Sequence, residues 1–321
     1  MKFYVTLTSI ICLFALTVPL LINYTFKDNT SVLQDTSDNS AETDNNRPTV
    51  SVFNISSGAI NQIDLKEYLI GVVAGEMPAS FCEEALKAQV VASYTYSKYI
   101  FENSTNNYIT DSPDIHQCYI NISAQKAKWG ESYEIFRNKI ESAVNSVYGE
   151  YISYKNETAM SVFHASSAWR TLSAEEVWGT PIPYLVSVEC TTEEKIETQI
   201  SYKSEELRKQ FEEAGKVIFK TVTPDKMVAI KEADKNGYIK KLTVGDKSFS
   251  AAEVKEILNL PGINFKAKRK KDIFIFSVTG KGHGVGMSQY AAEYMALQGK
   301  NYKDILAHFY PGTKIEKEEN I

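Results

Sequence analysis

Residues 64–101, DLKEYLIGVVAGEMPASFCEEALKAQVVASYTYSKYIF, decide the fold. The first four have the D-x-x-E pattern of a helix capping box, and an apolar run follows them. We expect a helix from about Leu65 to Glu76, because Pro78 disfavours a helical conformation at the residue before it. Glu76 would then end this helix at a sharp corner.

A second helix is expected directly after the corner. Residues 80–83, SFCE, have the S-x-x-E pattern of a capping box, and an apolar stripe from Ala85 to Tyr99 repeats at helical spacing. This helix should run to about Phe101. The stretch therefore predicts two helices joined by a tight Met-Pro corner that carries Glu76.

The remaining sequence mixes strand and helix patterns, so we expect an α+β body. Alternating apolar residues predict strands, and apolar residues at helical spacing predict two short helices. The expected strands are 49–53, 149–154, 159–163, 238–244 and 272–278, and the expected short helices are 203–214 and 251–258. The charged residues 191–270 form a candidate subdomain.

The N-terminal residues have the pattern of a membrane anchor. Phe3 to Ile22 carry no charge and would form a helix about 30 Å long, enough to cross a bilayer. A cleaved signal peptide would have a shorter apolar centre and a small-residue cleavage site. We expect an uncleaved, single-pass transmembrane helix at residues 1–23, with Lys2 on the cytoplasmic side and the rest of the chain outside.

Composition excludes several classes of protein. The chain has 321 residues, 43% of them hydrophobic, and a net charge of −5 spread along its length. It lacks the basic patch that a phosphate backbone requires, so we expect no nucleic acid partner. Four cysteines lie far apart, which indicates neither a disulfide scaffold nor a cysteine-rich zinc module. The polar residues 24–49 are expected to be a disordered tether, 50–316 the folded region and 317–321 a short tail.

Glu76 is the carboxylate with the strongest chemical argument. A helix C-terminus presents partial negative charge, and Met77, Pro78 and Phe81 would add an apolar environment. Both effects raise the pKa of a carboxyl group. A carboxylic acid that stays protonated near neutral pH suits protonation of a glycosidic oxygen. The alternative is an ordinary surface glutamate at a helix end.

A glycine-rich segment, TGKGHGVGMSQY at residues 279–290, precedes a helix expected to begin near Met287. Its glycines would let the backbone approach a ligand or another segment closely. The candidate substrate-binding residues in it are His283, Gly284, Ser288 and Gln289. A packing role for the glycines is the alternative.

Polar residues beside aromatic ones follow a predicted strand in FHASSAWRT, residues 163–171. Such a strand exit suits sugar recognition, in which hydrogen bonds orient the ligand and rings stack on it. The candidate substrate-binding residues here are His164, Ser166, Ser167 and Thr171. A structural histidine with satisfied hydrogen bonds is the alternative for His164.

His116 and Cys118 are the candidate zinc ligands. Their spacing supplies two ligands, whereas a zinc site needs three or four. We therefore expect no required cofactor, with zinc at this pair as an open alternative.

Several segments together resemble the stage II sporulation protein D family, which includes sporulation transglycosylases and amidase enhancers. The resemblance covers about residues 50 to 316, and its ordered motifs are more specific together than any one alone. They are VAGEMPASF at 73–81, EALKAQ at 84–89, the segment 163–171, EVWG at 176–179 with PYL at 183–185, and GHGVGMSQ at 282–289.

The resemblance implies a lytic transglycosylase that cleaves the MurNAc–GlcNAc linkage of peptidoglycan glycan strands. A single glutamate, matched here by Glu76, would leave a 1,6-anhydro end. No water is activated in that reaction, so the second carboxylate of ordinary glycosidases is not needed.

The family also implies a biological setting. Its members act in engulfment during endospore formation, with the stage II sporulation proteins P, an amidase, and M, a membrane organiser, as partners. We therefore expect the protein in the cell membrane, with its catalytic region in the septal space on the mother-cell side and peptide-free glycan strands as its substrate.

The sequence departs from the family pattern at two places. Tyr94 replaces an arginine that could contact substrate, which makes Tyr94 a further candidate for substrate binding, and Ala168-Trp169 replaces a common pair of glycines. Two other functions stay open. One is a non-catalytic cell-wall binding protein that enhances an amidase. The other is a metal-dependent hydrolase, for which the histidines and cysteines lack ligand spacing.

Overall fold

A computed structural model of the protein describes residues 47–191, 196–215, 227–235 and 238–319. The anchor predicted at 1–23 lies outside these residues, as does most of the predicted tether. Within the described ranges, no helix is long and apolar enough to span a membrane. The described residues are mixed helix and strand, as the sequence predicts.

The first helix has the predicted bounds. α1 (Leu65–Glu76) begins at Asp64, whose side chain accepts hydrogen bonds from the backbone N–H groups of Lys66 and Glu67. Residues 68–74 are all buried, so the middle of this helix has no face toward solvent. Glu76 is thereby placed at the end of an element that cannot shift without disturbing the core.

The second helix begins later than the capping-box pattern suggests. α2 (Glu83–Asn103) has Cys82 as its N-cap residue and no side-chain cap, so the capping box predicted at 80–83 is wrong. The N–H of Cys82 instead donates to a carboxylate oxygen of Glu293 at 2.6 Å. A tertiary contact therefore replaces the local cap.

Seven further helices complete the described helical part. Two of them, α3 and α4, follow α2 and are joined by a 3-10 turn at Gly130–Ser132, and α4 packs against both α1 and α2. The seven are α3 (Ile122–Trp129), α4 (Tyr133–Val147), α5 (Ala174–Trp178), α6 (Ser204–Glu213), α7 (Ala251–Ile257), α8 (Gln289–Leu297) and α9 (Tyr302–Phe309).

The described strands form five small sheets rather than one large one. The sheets have the orders β2-β1-β3, β14-β4-β5, β13-β6, β11-β12-β7 and β10-β9-β8. Their strands are β1 (Thr49–Phe53), β2 (Ile60–Asp64), β3 (Ile109–Thr110), β4 (Glu150–Tyr154), β5 (Glu157–Thr158), β6 (Phe163–His164), β7 (Glu197–Lys203), β8 (Val228–Ala233), β9 (Ile239–Val244), β10 (Lys247–Ser250), β11 (Phe265–Lys270), β12 (Ile273–Thr279), β13 (Met287–Ser288) and β14 (Lys314–Lys317).

Most predicted strands are confirmed, but the one at 159–163 is wrong. Only Phe163–His164 is a strand, and it pairs in parallel with Met287–Ser288. The apolar residues before it are buried by packing rather than by a sheet. α8 begins at Gln289, two residues after the predicted start, because β13 occupies those two residues.

The region predicted as a subdomain, 191–270, contains the sheet β10-β9-β8, the strands β7 and β11, and the helices α6 and α7. The strand β12, which pairs with both β7 and β11, lies just beyond its predicted boundary. Aromatic residues of this region pack on one another, as Phe211 does on Phe249. Its boundary as an independent subdomain stays a prediction.

Candidate functional site

Glu76 lies half-buried at the C-terminal end of α1. Its carboxylate oxygen Oε1 accepts a hydrogen bond of 2.6 Å from the backbone N–H of Cys118. The donor belongs to the segment between β3 and α3, which crosses the helix there. The carboxyl group therefore has one hydrogen-bond donor fixed at Oε1, and its other oxygen, Oε2, can bind a second group.

Burial is the main electrostatic influence on this carboxyl group. It raises the pKa of Glu76, whereas the Cys118 N–H and the positive charge of Lys128 act in the opposite direction. The raised pKa predicted from the sequence is confirmed, although burial rather than the helix dipole is its main cause. Lys128 Nζ donates to the carbonyl oxygen of Ala74 at 2.7 Å, beside the same helix end. Burial thus favours the acid form of Glu76, while the Cys118 N–H and the nearby Lys128 charge stabilise its carboxylate form.

Two tyrosines, Tyr68 of α1 and Tyr96 of α2, lie close enough to Glu76 for its charge to act on their phenol groups. Burial and the nearby Glu76 charge raise the pKa of Tyr96 to about 12. Tyr68 is completely buried, and burial likewise raises its pKa. Both phenols are therefore neutral near pH 7 and can donate or accept hydrogen bonds without adding charge.

The segments 163–171 and 280–288 lie against each other and form a second cluster. Ser166 and Lys281 exchange backbone hydrogen bonds of 3.1 and 2.7 Å. A methyl group added at Gly286 would overlap the carbonyl oxygen of Val162, so this position needs glycine both for space and for its φ of 70°. In this structure the glycine-rich segment is used for close packing, the alternative left open by the sequence.

His164 forms two hydrogen bonds within this cluster. Its Nδ1 lies 3.0 Å from the carbonyl oxygen of Val285, and its Nε2 lies 2.6 Å from Ser167 Oγ. Because a carbonyl oxygen only accepts, Nδ1 carries the proton and Ser167 donates to Nε2. Burial and the neighbouring His283 lower the pKa of His164 to about 3, so the ring is neutral.

His283 completes the ring cluster. Its Nδ1 accepts from the backbone N–H of Val285 at 3.1 Å, and burial lowers its pKa to about 4. Its ring centroid lies 5.7 Å from that of His164 and 5.6 Å from that of Trp178. The motifs at 163–171, 176–179 and 282–289 are therefore brought together at one place.

Most of the predicted substrate-binding side chains are enclosed. His164, Ser166, Ser167, Thr171, Ser288 and Gln289 are each at most 4% exposed. Tyr94 is also buried, and its hydroxyl donates to a carboxylate oxygen of Glu318 at 2.7 Å. Direct contact of these side chains with a glycan would require the cluster to open, and their binding role stays a prediction. So does that of Gly284, whose backbone oxygen accepts from Leu172 N–H at 2.6 Å.

Hydrogen bonds through α2 connect the second cluster with the helical layer. Gln289 Nε2 donates to Gln89 Oε1 at 3.1 Å, and Gln89 Nε2 donates to Ser93 Oγ at 2.9 Å. Gln89 and Ser93 lie on the face of α2 that also contacts Gln117, in the loop that donates to Glu76. The sequence motifs also lead us to expect one substrate groove, with Glu76 at its floor and the segments 163–171 and 282–289 along its walls, and this groove stays a prediction.

The described residues do not fit a zinc site at His116 and Cys118. The Nδ1 of His116 already accepts a hydrogen bond from the backbone N–H of Thr110 at 3.0 Å. Among the residues that the structure describes, no group of three or more histidine, cysteine, aspartate or glutamate side chains could hold a metal ion. We therefore propose no reaction step that uses a metal ion.

Three groups near Glu76 were not anticipated from the sequence: the backbone N–H of Cys118, the ammonium of Lys128 and the phenol of Tyr96. A backbone donor has no sequence pattern of its own. A second missed feature is the pair of Arg170 and Glu176, whose charged atoms lie 2.8 Å apart. It links two of the motif segments.

Comparison with known proteins gives consistent matches. Residues 54–154 match the family model described as SpoIID, stage II sporulation protein. The chain is 32% identical over 336 residues to stage II sporulation protein D of Bacillus subtilis, covering 99% of this chain and 97% of that protein. It is 31% identical over 277 residues to stage II sporulation protein D of Bacillus amyloliquefaciens, covering 85% and 80%. It is 27% identical over 298 residues to the amidase enhancer of Bacillus subtilis, covering 77% of this chain and 40% of that protein.

Proposed function

Because the chain belongs to the stage II sporulation protein D family, we propose that it is a lytic transglycosylase acting on peptidoglycan. It would cleave the MurNAc–GlcNAc linkage of peptide-free glycan strands, with Glu76 as its catalytic residue. No cofactor is required by this chemistry.

The observation that carries the proposal is the environment of Glu76. Burial raises the pKa of its carboxyl group above the ordinary value, which favours the acid form that a glycosidic oxygen needs as its proton donor. The Cys118 N–H, 2.6 Å from Oε1, stabilises the carboxylate once the proton has left. One residue placed in this way can serve as acid and then as base.

The proposed reaction has two proton transfers and needs no water. The protonated Glu76 gives its proton to the glycosidic oxygen as the bond from that oxygen to C1 of MurNAc breaks. The resulting carboxylate removes the proton from the C6 hydroxyl of the same sugar, and O6 bonds to C1. Glu76 ends protonated again, and the product carries a 1,6-anhydro ring. A single carboxyl group is sufficient, in contrast to the pairs of ordinary glycosidases.

Glu76→Gln tests this proposal. The amide keeps the size of the side chain but has no titratable proton, so we expect cleavage to fall by a factor on the order of 10³ or more while the fold is retained. The measurement is mass spectrometry of anhydro-ended products from peptide-free glycan strands.

Glu83→Gln provides a matched control. This carboxylate lies near the same corner, but it is exposed and pairs with Lys87 at 2.8 Å. We expect nearly unchanged cleavage by the control. Normal turnover by Glu76→Gln would remove Glu76 from the mechanism.

The second candidate function is a non-catalytic enhancer of an amidase. It is favoured by the similarity to the amidase enhancer of Bacillus subtilis. Under this function the wild-type protein would release no anhydro sugars, and the rate of a peptidoglycan amidase would rise when the protein is added. The same mass-spectrometric assay, with and without an amidase, distinguishes the two functions.

The proposed setting follows from the family and from the N-terminal pattern. We place the protein in the cell membrane with its N-terminus in the cytoplasm and its catalytic region in the septal space of the sporulating cell. The stage II sporulation proteins P and M are its proposed partners, with P supplying strands freed of stem peptides.

A further inference from the structure

The loop that carries the Cys118 donor crosses α1 at two glycines. The N–H of Ile120 donates to the carbonyl oxygen of Gly71 at 3.2 Å. A methyl group added at Gly75 would lie 2.6 Å from the carbonyl oxygen of Cys118, and one added at Gly71 would overlap the ring of Tyr119. The loop is therefore in direct contact with the last two turns of α1, which end at Glu76.

The side chain of Gln117 fixes this loop from the opposite side. It is 1% exposed, and its Nε2 lies 2.9 Å from Ser97 Oγ, 3.2 Å from the carbonyl oxygen of Ser93 and 3.3 Å from the hydroxyl of Tyr68. Because the carbonyl oxygen of Ser93 only accepts, the NH2 end of Gln117 faces α2. The side chain is thus held by residues of both α1 and α2.

The peptide that joins Gln117 to Cys118 is the one whose N–H donates to Glu76. Its position is fixed at one end by the buried amide of Gln117 and at the other by contact with Gly75. The direction of the N–H bond is therefore set by the anchoring of Gln117.

We propose that Gln117 is a positioning residue: by anchoring the 117–118 peptide in the core, it holds the Cys118 N–H against the Glu76 carboxylate and so fixes the orientation of the acid. The inference rests on the proposed function, because it gives Gln117 a role in the step that Glu76 performs. Gln117 itself does not touch the substrate.

A purely structural role would not require this residue type. The Oε1 atom of Gln117 is buried and has no hydrogen-bond partner among the described residues. An unpaired buried acceptor is costly, and an apolar side chain of the same shape would avoid that cost. The amide is useful here because its NH2 group anchors the loop in one orientation.

Other groups face Glu76 from the elements packed against it. They are the ammonium of Lys128, the thiol of Cys118 and the phenols of Tyr68 and Tyr96. All of them lie on α1, α2, α3 or the loop itself. Lys128, Tyr68 and Tyr96 take their backbone positions from helices, so a substitution at Gln117 should act mainly through Cys118, whose N–H is the direct hydrogen-bond donor to Glu76.

Gln117→Leu tests the proposal, with Gln125→Leu as a matched control. Gln125 is also buried and anchors the same loop, but its Nε2 donates to the carbonyl oxygen of Ile120 at 3.0 Å, away from Glu76. The first readout is the hydrogen-exchange rate of the Cys118 amide, measured by NMR in the full-length protein without substrate. The second readout is the pair kcat and KM on peptide-free glycan strands.

We expect Gln117→Leu to speed exchange of the Cys118 amide by roughly tenfold or more, and to lower kcat by roughly tenfold with KM nearly unchanged. Gln125→Leu should leave the exchange rate of the Cys118 amide and kcat close to their wild-type values. If Gln117→Leu does not fold, Ser97→Ala removes one of the anchoring partners and should produce a smaller change of the same kind.

Unchanged exchange of the Cys118 amide in these variants would overturn the positioning role, whatever the activity. The positioning role would also be overturned if Gln125→Leu sped exchange of the Cys118 amide as much as Gln117→Leu does. Increased mobility of the whole loop would then explain both results. Failure of the proposed function gives a different result: the wild-type protein would release no anhydro sugars, while the exchange measurement would still report on Gln117.

Discussion

At the scale of single residues, burial has opposite consequences for the acidic and the basic groups of this protein. It raises the pKa of Glu76, which favours the protonated carboxyl group, and it lowers the pKa of His164 to about 3, which keeps the imidazole neutral. His164 therefore accepts a hydrogen bond from Ser167 throughout the physiological pH range. The same physical cause favours the protonated form of one residue and the neutral form of the other.

The neutral histidines predict how stability depends on pH. The pKa values of His164 and His283 are lowered to about 3 and about 4, below the ordinary 6.5, so the unfolded chain binds more protons below that pH. The contribution of the two neutral histidines to the free energy of unfolding is fully present above pH 6.5. It is lost as the pH falls toward the folded values, by up to about 1.4 kcal/mol per pH unit for each histidine.

Urea unfolding at several pH values between 7 and 5 checks this prediction. His164→Gln should give a shallower loss of unfolding free energy on acidification than the wild type. Val285→Ala, a buried substitution that does not titrate, should lower stability equally at each pH. The same slope in His164→Gln and wild type would contradict the assignment of a neutral, buried imidazole.

At the scale of elements, the last strand covers one edge of the sheet that packs against α2. β14 pairs antiparallel with β4 and runs to Lys317, past the boundary predicted for the folded region. Glu316 accepts from Ser153 at 2.6 Å, and Glu318 accepts from Tyr94 at 2.7 Å. The C-terminal residues are therefore part of the fold through Glu318.

Truncation before β14 should destabilise the protein and expose the edge of β4. We expect a loss of roughly 1 kcal/mol for each backbone hydrogen bond of the pairing, and aggregation through the uncovered strand edge. A chain that stops after Glu318 keeps all of these contacts and is the control. Thermal unfolding and light scattering measure the difference. Equal melting temperatures of a chain ending at Thr313 and the control would show that β14 is dispensable.

At the scale of the whole molecule, the proposed anchor and the folded region should be separable. Replacing residues 1–23 with a cleavable signal sequence should release soluble protein that retains its cleavage activity, because the contacts described for Glu76, with Cys118 and Lys128, come from the folded region itself. Membrane fractionation and the anhydro-sugar assay measure the two properties. Recovery of the natural protein mainly in the soluble fraction would contradict the anchor.

The sequence by itself determined the local elements and the position of Glu76, the proposed acid. The D-x-x-E pattern, the apolar run and Pro78 act within a few residues of one another, so α1 was predicted with its bounds and Glu76 was placed at its end. The mixed helix-and-strand class and the family motifs were likewise available from the chain. These features depend on short-range sterics and on side-chain order, which a linear sequence contains.

Only the tertiary structure decided what surrounds the acid and what the other motifs do. The Cys118 donor lies 42 positions from Glu76 along the chain, and the start of α2 is set by Glu293, 211 positions from Cys82. Likewise, the burial of His164 and its partners became visible only when residues 280–288 packed against 163–171. Contacts between distant residues depend on how elements pack, and packing is a property of the folded chain that no local pattern contains.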